Sequence, residues 1–381
     1  MNARPRGDLL RVGLVAHELT DDTGRGLQSY TRGLATALER SGAVEVVYFS
    51  RSPLAAAAKR LTGHRETWKG SREFLWEQWD LPRRARHLGV QVLHAPGNRG
   101  LPAFAPCPTV LTRHDEIERT CPPDFPRSFR SEARRKWADV VSVRAAARIV
   151  AVSATSARDV AREWPGAASK IVVAGEGIDD RFFEAVTAAD VARVRGAYRL
   201  TGEYACYLGG FEGRKSVDVL VDAFASMTAS THQLVLAGHP RGLAAGVRAR
   251  IEGLVSAGRA ILLGFVPDDD VAPLVSGAAT FVFPSGQEGF GLPVAEAMAL
   301  GTPVICSTGG ALPEVAQGAA RMFEAGHVDD CRRALEEVLG DGPLRARMRE
   351  SGLRVAQQYS WSRVLPRYLE LYRSLIQPTA V

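Results

Sequence analysis

Apolar positions along the chain come in short β-branched runs, and between these runs they recur every three or four residues, as buried strands alternating with amphipathic helices do. In the first half the runs are Leu10 to Ala16, Val44 to Phe49, Val90 to His94, Thr109 to Thr112, Ala147 to Ser153 and Lys170 to Gly177. Between the first two lies a helix with Leu27, Tyr30, Leu34 and Leu38 on its apolar face, which closes a βαβ unit. The alternation repeats from near Phe183, with Tyr204 to Gly209, Leu234 to Gly238, Ile261 to Phe265, Thr280 to Phe283 and Val304 to Cys306. This pattern predicts an α/β chain of two doubly wound parallel sheets, set side by side to make a cleft. At 381 residues, two domains of such a kind fit the length. We place them at 1–183 and 184–360, followed by a last amphipathic stretch, 361–381.

The stretch FVFPSGQEGFGLPVAEAMALGTPVICSTGG, residues 281–310, carries the densest chemistry. A buried strand ends at Pro284, and a loop holds Glu288 among Gly286, Gly289 and Gly291, where backbone can approach a ligand closely. Pro293 suits the first turn of the helix that follows, and Gly301 with Pro303 ends it. Glu296 is read into that first turn. The two carboxylates would then face one crevice at the carboxyl ends of the strands, where open α/β sheets bind ligands. A carboxylate can hold a vicinal diol, and a helix N-terminus favours a phosphate. Arg214 and Lys215 lie in the loop after another strand, just before a helix, and supply the cations a diphosphate needs.

Composition narrows the picture. Hydrophobic content of 46% with 24% charged is that of an ordinary globular protein. No apolar run approaches a membrane span, and MNARPRGDLL lacks the core of a signal peptide, so a cytoplasmic protein is expected. Five cysteines without C-x-x-C spacing predict neither a zinc site nor a disulfide frame. Residues 1–199 carry 32 Lys and Arg against 23 Asp and Glu, and the remainder 16 against 19. A basic first half fits either an anionic partner such as a membrane or an arginine-rich solvated surface. Trp68 and the cluster Arg134, Arg135 and Lys136 beside Trp137 share that ambiguity, whereas Trp76 and Trp79 are read as core residues of an amphipathic helix. The triplet Asp268, Asp269 and Asp270 could mimic a manganese-binding D-x-D, but after Pro267 and before a helix it reads as an N-cap with dipole-favoured acids. Ser153 and Thr155 are placed as caps of another helix.

The run EGFGLPVAEAMALGTPVI resembles the E-x7-E signature of family 4 of the retaining glycosyltransferases, and the WEQ…LP pattern resembles its bacterial mannosyl- and rhamnosyltransferases. The resemblance implies the GT-B fold, two Rossmann-like domains facing across a cleft, with the last helix crossing back onto the first. It implies a nucleotide-diphospho-sugar donor, GDP-linked by preference, no metal or other cofactor, and a saccharide or lipid-linked acceptor, with an anionic membrane surface as a possible partner and no nucleic acid. His114, followed by Asp115, matches the position whose histidine touches the transferred sugar. Gly24 and Gly26 match the glycine turn near the donor phosphates and the acceptor. Arg214 and Lys215 would bind the diphosphate, Glu296 the ribose, and Glu288 with Gly289, Phe290, Gly291 and Leu292 the sugar end. Many members carry a second Arg where this chain has Gly210. Transfer to a small soluble metabolite, a phosphorylase or epimerase on the same fold, and a sugar-nucleotide-binding protein without transfer activity are the alternatives. The first would need only a different acceptor, while a phosphorylase would need a second-domain lysine, and Lys215 is already given to phosphate.

Overall fold

A computed structural model of the chain describes residues 9–20, 26–55, 58, 60–67, 73–120, 128–227, 231–239 and 242–377. Gly24, Trp68 and Cys121 lie outside the described residues. Contacts divide the chain into two compact units, one of residues 1–116, 127–178 and 360–381, the other of 117–126 and 179–359.

In the first unit seven parallel strands are ordered β3-β2-β1-β4-β5-β6-β7. They are β1 (Leu10–Val15), β2 (Val44–Ser50), β3 (His64–Thr67), β4 (Val92–Ala95), β5 (Thr109–Arg113), β6 (Arg148–Ala151) and β7 (Ile171–Val173). In the second unit six strands are ordered β10-β9-β8-β11-β12-β13. These are β8 (Tyr204–Leu208), β9 (Gln233–Ala237), β10 (Ala260–Gly264), β11 (Thr280–Phe283), β12 (Val304–Ser307) and β13 (Arg321–Phe323). Each sheet reverses its winding between its first strand and the one that lies beside it on the far side, at β1/β4 and at β8/β11. The crevice beyond the carboxyl ends of those strands is where doubly wound sheets hold ligands.

The hand-over between units falls after Ile178 rather than at residue 183. Asp179 accepts from the Arg181 N–H to cap the 3-10 turn Asp180–Phe182, Phe182 is buried, and Arg181 reaches Asp268 at 3.3 Å, so these residues pack with the second unit. The last helix, Trp361–Ile376, belongs to the first unit. It buries Trp361, Val364, Leu365, Tyr368, Leu371 and Tyr372, the spacing of one helical face, in the core with β1 and β2. Gly33 and Gly177 make room for the Trp361 indole: a Cβ at either would stand 2.2 Å and 2.4 Å from its ring atoms. Each fully buried large side chain on that face stabilises the unit by about 1.5–3 kcal/mol.

Trp79 departs from the reading given above. Trp76 is 1% exposed but Trp79 is 64% exposed. The segment Trp76–Asp80 winds as a π-helix before the α-helix Leu81–His87. That i to i+5 turn aligns Trp76 with Leu81 and Ala85 on the buried face and swings Trp79 outward. Leu27, at the very start of its helix (Leu27–Ser41), is likewise exposed, while Tyr30, Leu34 and Leu38 are buried.

Candidate active site

In the second unit the two strands at the winding reversal carry the charged residues. After β8 the chain makes a tight turn, Gly213–Lys215, and Ser216 takes a left-handed conformation (φ 48°) to start the helix Val217–Ala225. After β11 the loop 284–291 leads into the helix Leu292–Ala299. The loops are clasped through backbone: the Gly286 N–H and the Ser285 hydroxyl donate to the Arg214 carbonyl at 2.8 and 3.2 Å. Side chains then converge on Glu288. Lys215 Nζ lies 2.5 Å, Ser285 Oγ 2.7 Å and Arg214 Nη1 3.4 Å from Glu288 Oε1. All three reach the same oxygen. Burial pushes the Glu288 carboxyl upward, but the Lys215 and Arg214 charges with the Lys215 and Ser285 hydrogen bonds outweigh it and hold it below the ordinary carboxylate range.

The turn after β12 fixes the back of this loop. Ser307 donates to the Ser285 carbonyl, and the Ala311 N–H donates to the Glu288 carbonyl at 2.9 Å. Gly310 (φ 57°) has no room for a side chain, since a Cβ would stand 2.3 Å from the Glu288 carbonyl oxygen. Ser285, Ser307 and Gly310 were missed in sequence, although the Gly309-Gly310 pair directly after a strand is a signal for close backbone approach.

The remaining expected donor residues divide by what they can offer. Phe290 is buried edge-on against Tyr359 at 5.2 Å, and Leu292 is buried too, so each presents only backbone to a ligand. Gly291 (φ 109°) is the N-cap of the helix, with Leu292 at its first position. Glu296 therefore stands at the fifth position, in the second turn rather than the first, and is half-buried. Gly289 lies in the loop between Glu288 and Phe290. At Gly210, where a second arginine is common, a Cβ would meet the Glu212 carboxylate at 2.1 Å, so Glu212 occupies the ground that side chain would use.

The Asp triplet is engaged elsewhere. Pro267 is the N-cap and the acids fill the first helical turn of Asp268–Ser276. Asp270 accepts from Tyr198 and pairs with Arg193, both at 2.7 Å, and Asp268 faces Arg181. Among the described residues no group of three His, Cys, Asp or Glu is placed to hold a metal ion.

In the first unit His114 follows β5. Its Nε2 lies 2.9 Å from the Pro96 carbonyl, its backbone N–H donates to Asn98 Oδ1 at 2.8 Å, and its ring stands edge-on to Tyr30 at 4.6 Å. Burial first, and the neighbouring Arg113 charge, pull its pKa down to about 4 against the Pro96 hydrogen bond. Glu176, just after β7, faces it, with Oε1 3.9 Å from His114 Nδ1. Gly26 (φ 77°) caps the helix Leu27–Ser41 without a side-chain bond. Beside these, Arg113 pairs with Glu116 and Asp139, and Arg135 turns inward to Asp139 and Glu132. Of the cluster read as a surface contact, Arg135 is thus spent internally, while Lys136 is exposed and Trp137 packs on Phe74 at 4.8 Å. Ser153 caps its helix in a reciprocal box with Ser156, not with Thr155. Asn98 and Glu176 sit at strand ends, as His114 does, and the same rule would have found them.

Two parallel doubly wound units, one with a carboxylate clasped by two cations at its winding reversal, make up the two-domain α/β architecture of this chain. The chain belongs to family 4 of the glycosyltransferases. Residues 192–355 match the model of glycosyl transferases group 1 and residues 24–182 that of glycosyltransferase family 4. It is 31% identical over 271 residues to an O-antigen chain mannosyltransferase B of Escherichia coli, covering 70% of each chain. It is 29% identical over 235 residues to the serotype-specific mannosyltransferase WbdA of the same organism, covering 60% of this chain and 29% of that one. In fold it is similar to HepE of Anabaena, solved with UDP and glucose, at a TM-score of 0.76 and 16% identity, covering 96% of this chain and all of that one. Among the described residues no helix is long and apolar enough to cross a membrane.

Proposed function

We propose that this glycosyltransferase moves a hexose, mannose by preference, with retention of configuration from a nucleotide-diphospho-sugar, GDP-linked by preference, to a saccharide or lipid-linked acceptor in the assembly of a surface glycan. The observation that carries the donor reading is the convergence of Lys215 and Arg214 on Glu288 where β8 and β11 end. Two cations held together at a helix start suit a diphosphate, the Lys as a point charge and the Arg as a planar fork. Because their bonds go to Oε1, the second Glu288 oxygen remains for a sugar hydroxyl. Glu296 takes the ribose hydroxyls, and the Phe290 and Gly291 N–H groups take the sugar end. The names of the Escherichia coli relatives favour mannose.

In this reading the acceptor hydroxyl attacks from the leaving-group face, its oxygen bonds to the anomeric carbon as the carbon–phosphate oxygen bond breaks, and the departing phosphate takes the hydroxyl proton. Glu288 positions and stabilises an oxocarbenium-like state and is not a base, since a carboxylate held below its ordinary range is a poor proton acceptor. His114, neutral and buried, touches the transferred sugar. No metal enters, and the enzyme works in the cytoplasm, visiting the inner face of the membrane. Thermal-shift screening with GDP, UDP, dTDP and ADP tests the donor, because a ligand of the native state raises its stability. The anomeric configuration of the product by NMR, with and without EDTA, tests retention and metal independence. Inversion, or loss of activity in EDTA restored by manganese, would overturn those parts.

A further inference from the structure

A file of fully buried polar side chains crosses the core of the first unit and begins and ends on the last helix and the turn after β7. Tyr372 Oη lies 2.6 Å from His94 Nδ1, and His94 Nε2 lies 2.8 Å from Thr112 Oγ1. Thr112 Oγ1 lies 2.9 Å from Tyr30 Oη, which lies 3.0 Å from Tyr368 Oη, and Tyr368 Oη lies 2.8 Å from the Gly175 carbonyl. The last link fixes the direction of all the others. A carbonyl only accepts, so Tyr368 gives its one proton to Gly175 and must accept from Tyr30. Tyr30 has then spent its proton and accepts from Thr112, which in turn accepts from His94. His94 therefore carries its ring proton on Nε2, and its bare Nδ1 accepts from Tyr372. Burial first, and the nearby His114, pull the His94 pKa down to about 3, so the ring is neutral as this assignment requires.

The anchored end of this file surrounds His114. Tyr30, held by its hydroxyl between Thr112 and Tyr368, sets the edge of its ring 4.6 Å from the imidazole. Gly175, which takes the last proton, immediately precedes Glu176, whose carboxyl lies 3.9 Å from His114 Nδ1. Thr112 stands two residues before His114. A core of phenylalanines would bury the same rings without directional bonds, whereas a fully satisfied polar chain admits one arrangement, each bond polarising the next. We propose that Tyr30 and Tyr368 are positioning residues for glycosyl transfer, the chain of hydroxyls that ends at Gly175 holding the His114 imidazole in place for the sugar. The last helix thereby sets the geometry of a site at the strand ends. The inference rests on reading His114 as a sugar contact but not on the choice of nucleotide.

Two variants of the last helix, each losing one buried hydroxyl, separate positioning from packing. In Tyr372→Phe the chain keeps its Gly175 anchor, so His94 should stay protonated on Nε2. In Tyr368→Phe the anchor is gone, and the remaining chain makes three bonds in either direction, so the Nδ1–H form of His94 should appear. Side-chain proton–nitrogen NMR of the full-length, histidine-labelled protein distinguishes the two tautomers, with His94 assigned from the signal lost in His94→Gln. The same spectra carry the His114 Nε2–H that Pro96 accepts, which should shift in Tyr368→Phe and hold in Tyr372→Phe. With GDP-mannose as the probe, release of GDP should slow by about tenfold in Tyr368→Phe, with GDP affinity unchanged, and by less than about twofold in Tyr372→Phe. A wild-type His94 protonated on Nδ1 overturns the proposal, as does a His114 signal that Tyr368→Phe leaves in place. Equal slowing in the two variants, or a moved His114 signal with turnover unchanged, would assign the tyrosines to packing alone. If the wild type does not turn over GDP-mannose, that donor fails and the His114 signal decides the positioning by itself.

Discussion

Replacing Lys215 by Met should damage both stability and donor binding, and the two effects can be separated. Lys215 and Glu288 are each 12% exposed, 2.5 Å apart, and Lys215 also lies over the Phe283 ring at 5.2 Å. Removing one partner of a buried pair costs roughly 3–5 kcal/mol when the other charge is left alone. Here Arg214 and Ser285 stay on the same oxygen, so the cost to the second unit should be about 2 kcal/mol. The double variant Lys215→Met with Glu288→Gln removes both charges and should return to within about 1 kcal/mol of wild type. All six tryptophans belong to the first unit, so indole fluorescence would not register this change. Hydrogen exchange of peptides from β8 and β11 would. For nucleotide affinity the order reverses: Lys215→Met should weaken GDP by about tenfold or more, while Glu288→Gln leaves both cations available and should not weaken it. If the double variant is no more stable than Lys215→Met, or if Glu288→Gln weakens GDP as much, the clasp is not a phosphate site held ready by a carboxylate.

Glu296→Gln should weaken nucleotide binding through the ribose hydroxyls while leaving thermal stability near wild type, and unchanged affinity in calorimetry would remove Glu296 from the site. Acid should destabilise the first unit. Folded His94 and His114 stay neutral down to about 3 and about 4, against 6.5 unfolded, whereas Glu18 holds its proton up to about 7. Between pH 6 and 5 unfolding therefore takes up two protons and releases one, so stability should fall by about 1.4 kcal/mol per pH unit as pH drops. Urea midpoints read by fluorescence, which sees this unit, check the slope, and a flat profile would contradict the assigned protonation states. Trp79, Trp137 and Lys136 are exposed on the first unit, and co-sedimentation should favour anionic over neutral liposomes at low salt, with the preference fading as salt rises. No preference would leave a soluble acceptor as the better reading.

Both sheets were legible because parallel strands buried on two faces are written as continuous apolar runs. The strands that escaped notice lie at sheet edges. β3 reads HRET, with no apolar residue, and β13 is three residues long. β3 is held by pairing with its neighbour rather than by a hydrophobic pattern, and β13, though it buries Phe323, is too short to show one. Glu288, Arg214 and Lys215 were legible as separate loop residues. Their meeting on one oxygen was not, because 73 residues separate Lys215 from Glu288 and only the strand order makes β8 and β11 neighbours. Trp79 and Glu296 were misplaced for a shared reason. Helix phase depends on the turn at its start, and neither a π turn nor a one-residue shift of an N-cap is visible in a periodicity.

Net charge summed over each half does not locate the buried charges. The first 199 residues carry the basic excess, which suggested that their unit meets an anion. Yet at the strand ends of that unit stand His114, neutral, and the carboxyl groups of Glu176 and Glu18, the latter holding its proton up to about 7, while the guanidinium of Arg113 pairs with Glu116 and Asp139. The second half, slightly acidic overall, keeps two cations together where β8 and β11 end. Solvated surface charges contribute to a distant field that salt screens within about 10 Å, whereas buried ones act on a bound group at full strength over a few ångströms. On the proposed reading, the paired cations that suit a diphosphate lie in the unit with the lower net charge. Outside the sites only exposed members of the basic excess, such as Lys136, can count, and the liposome series tests whether a membrane is what they meet.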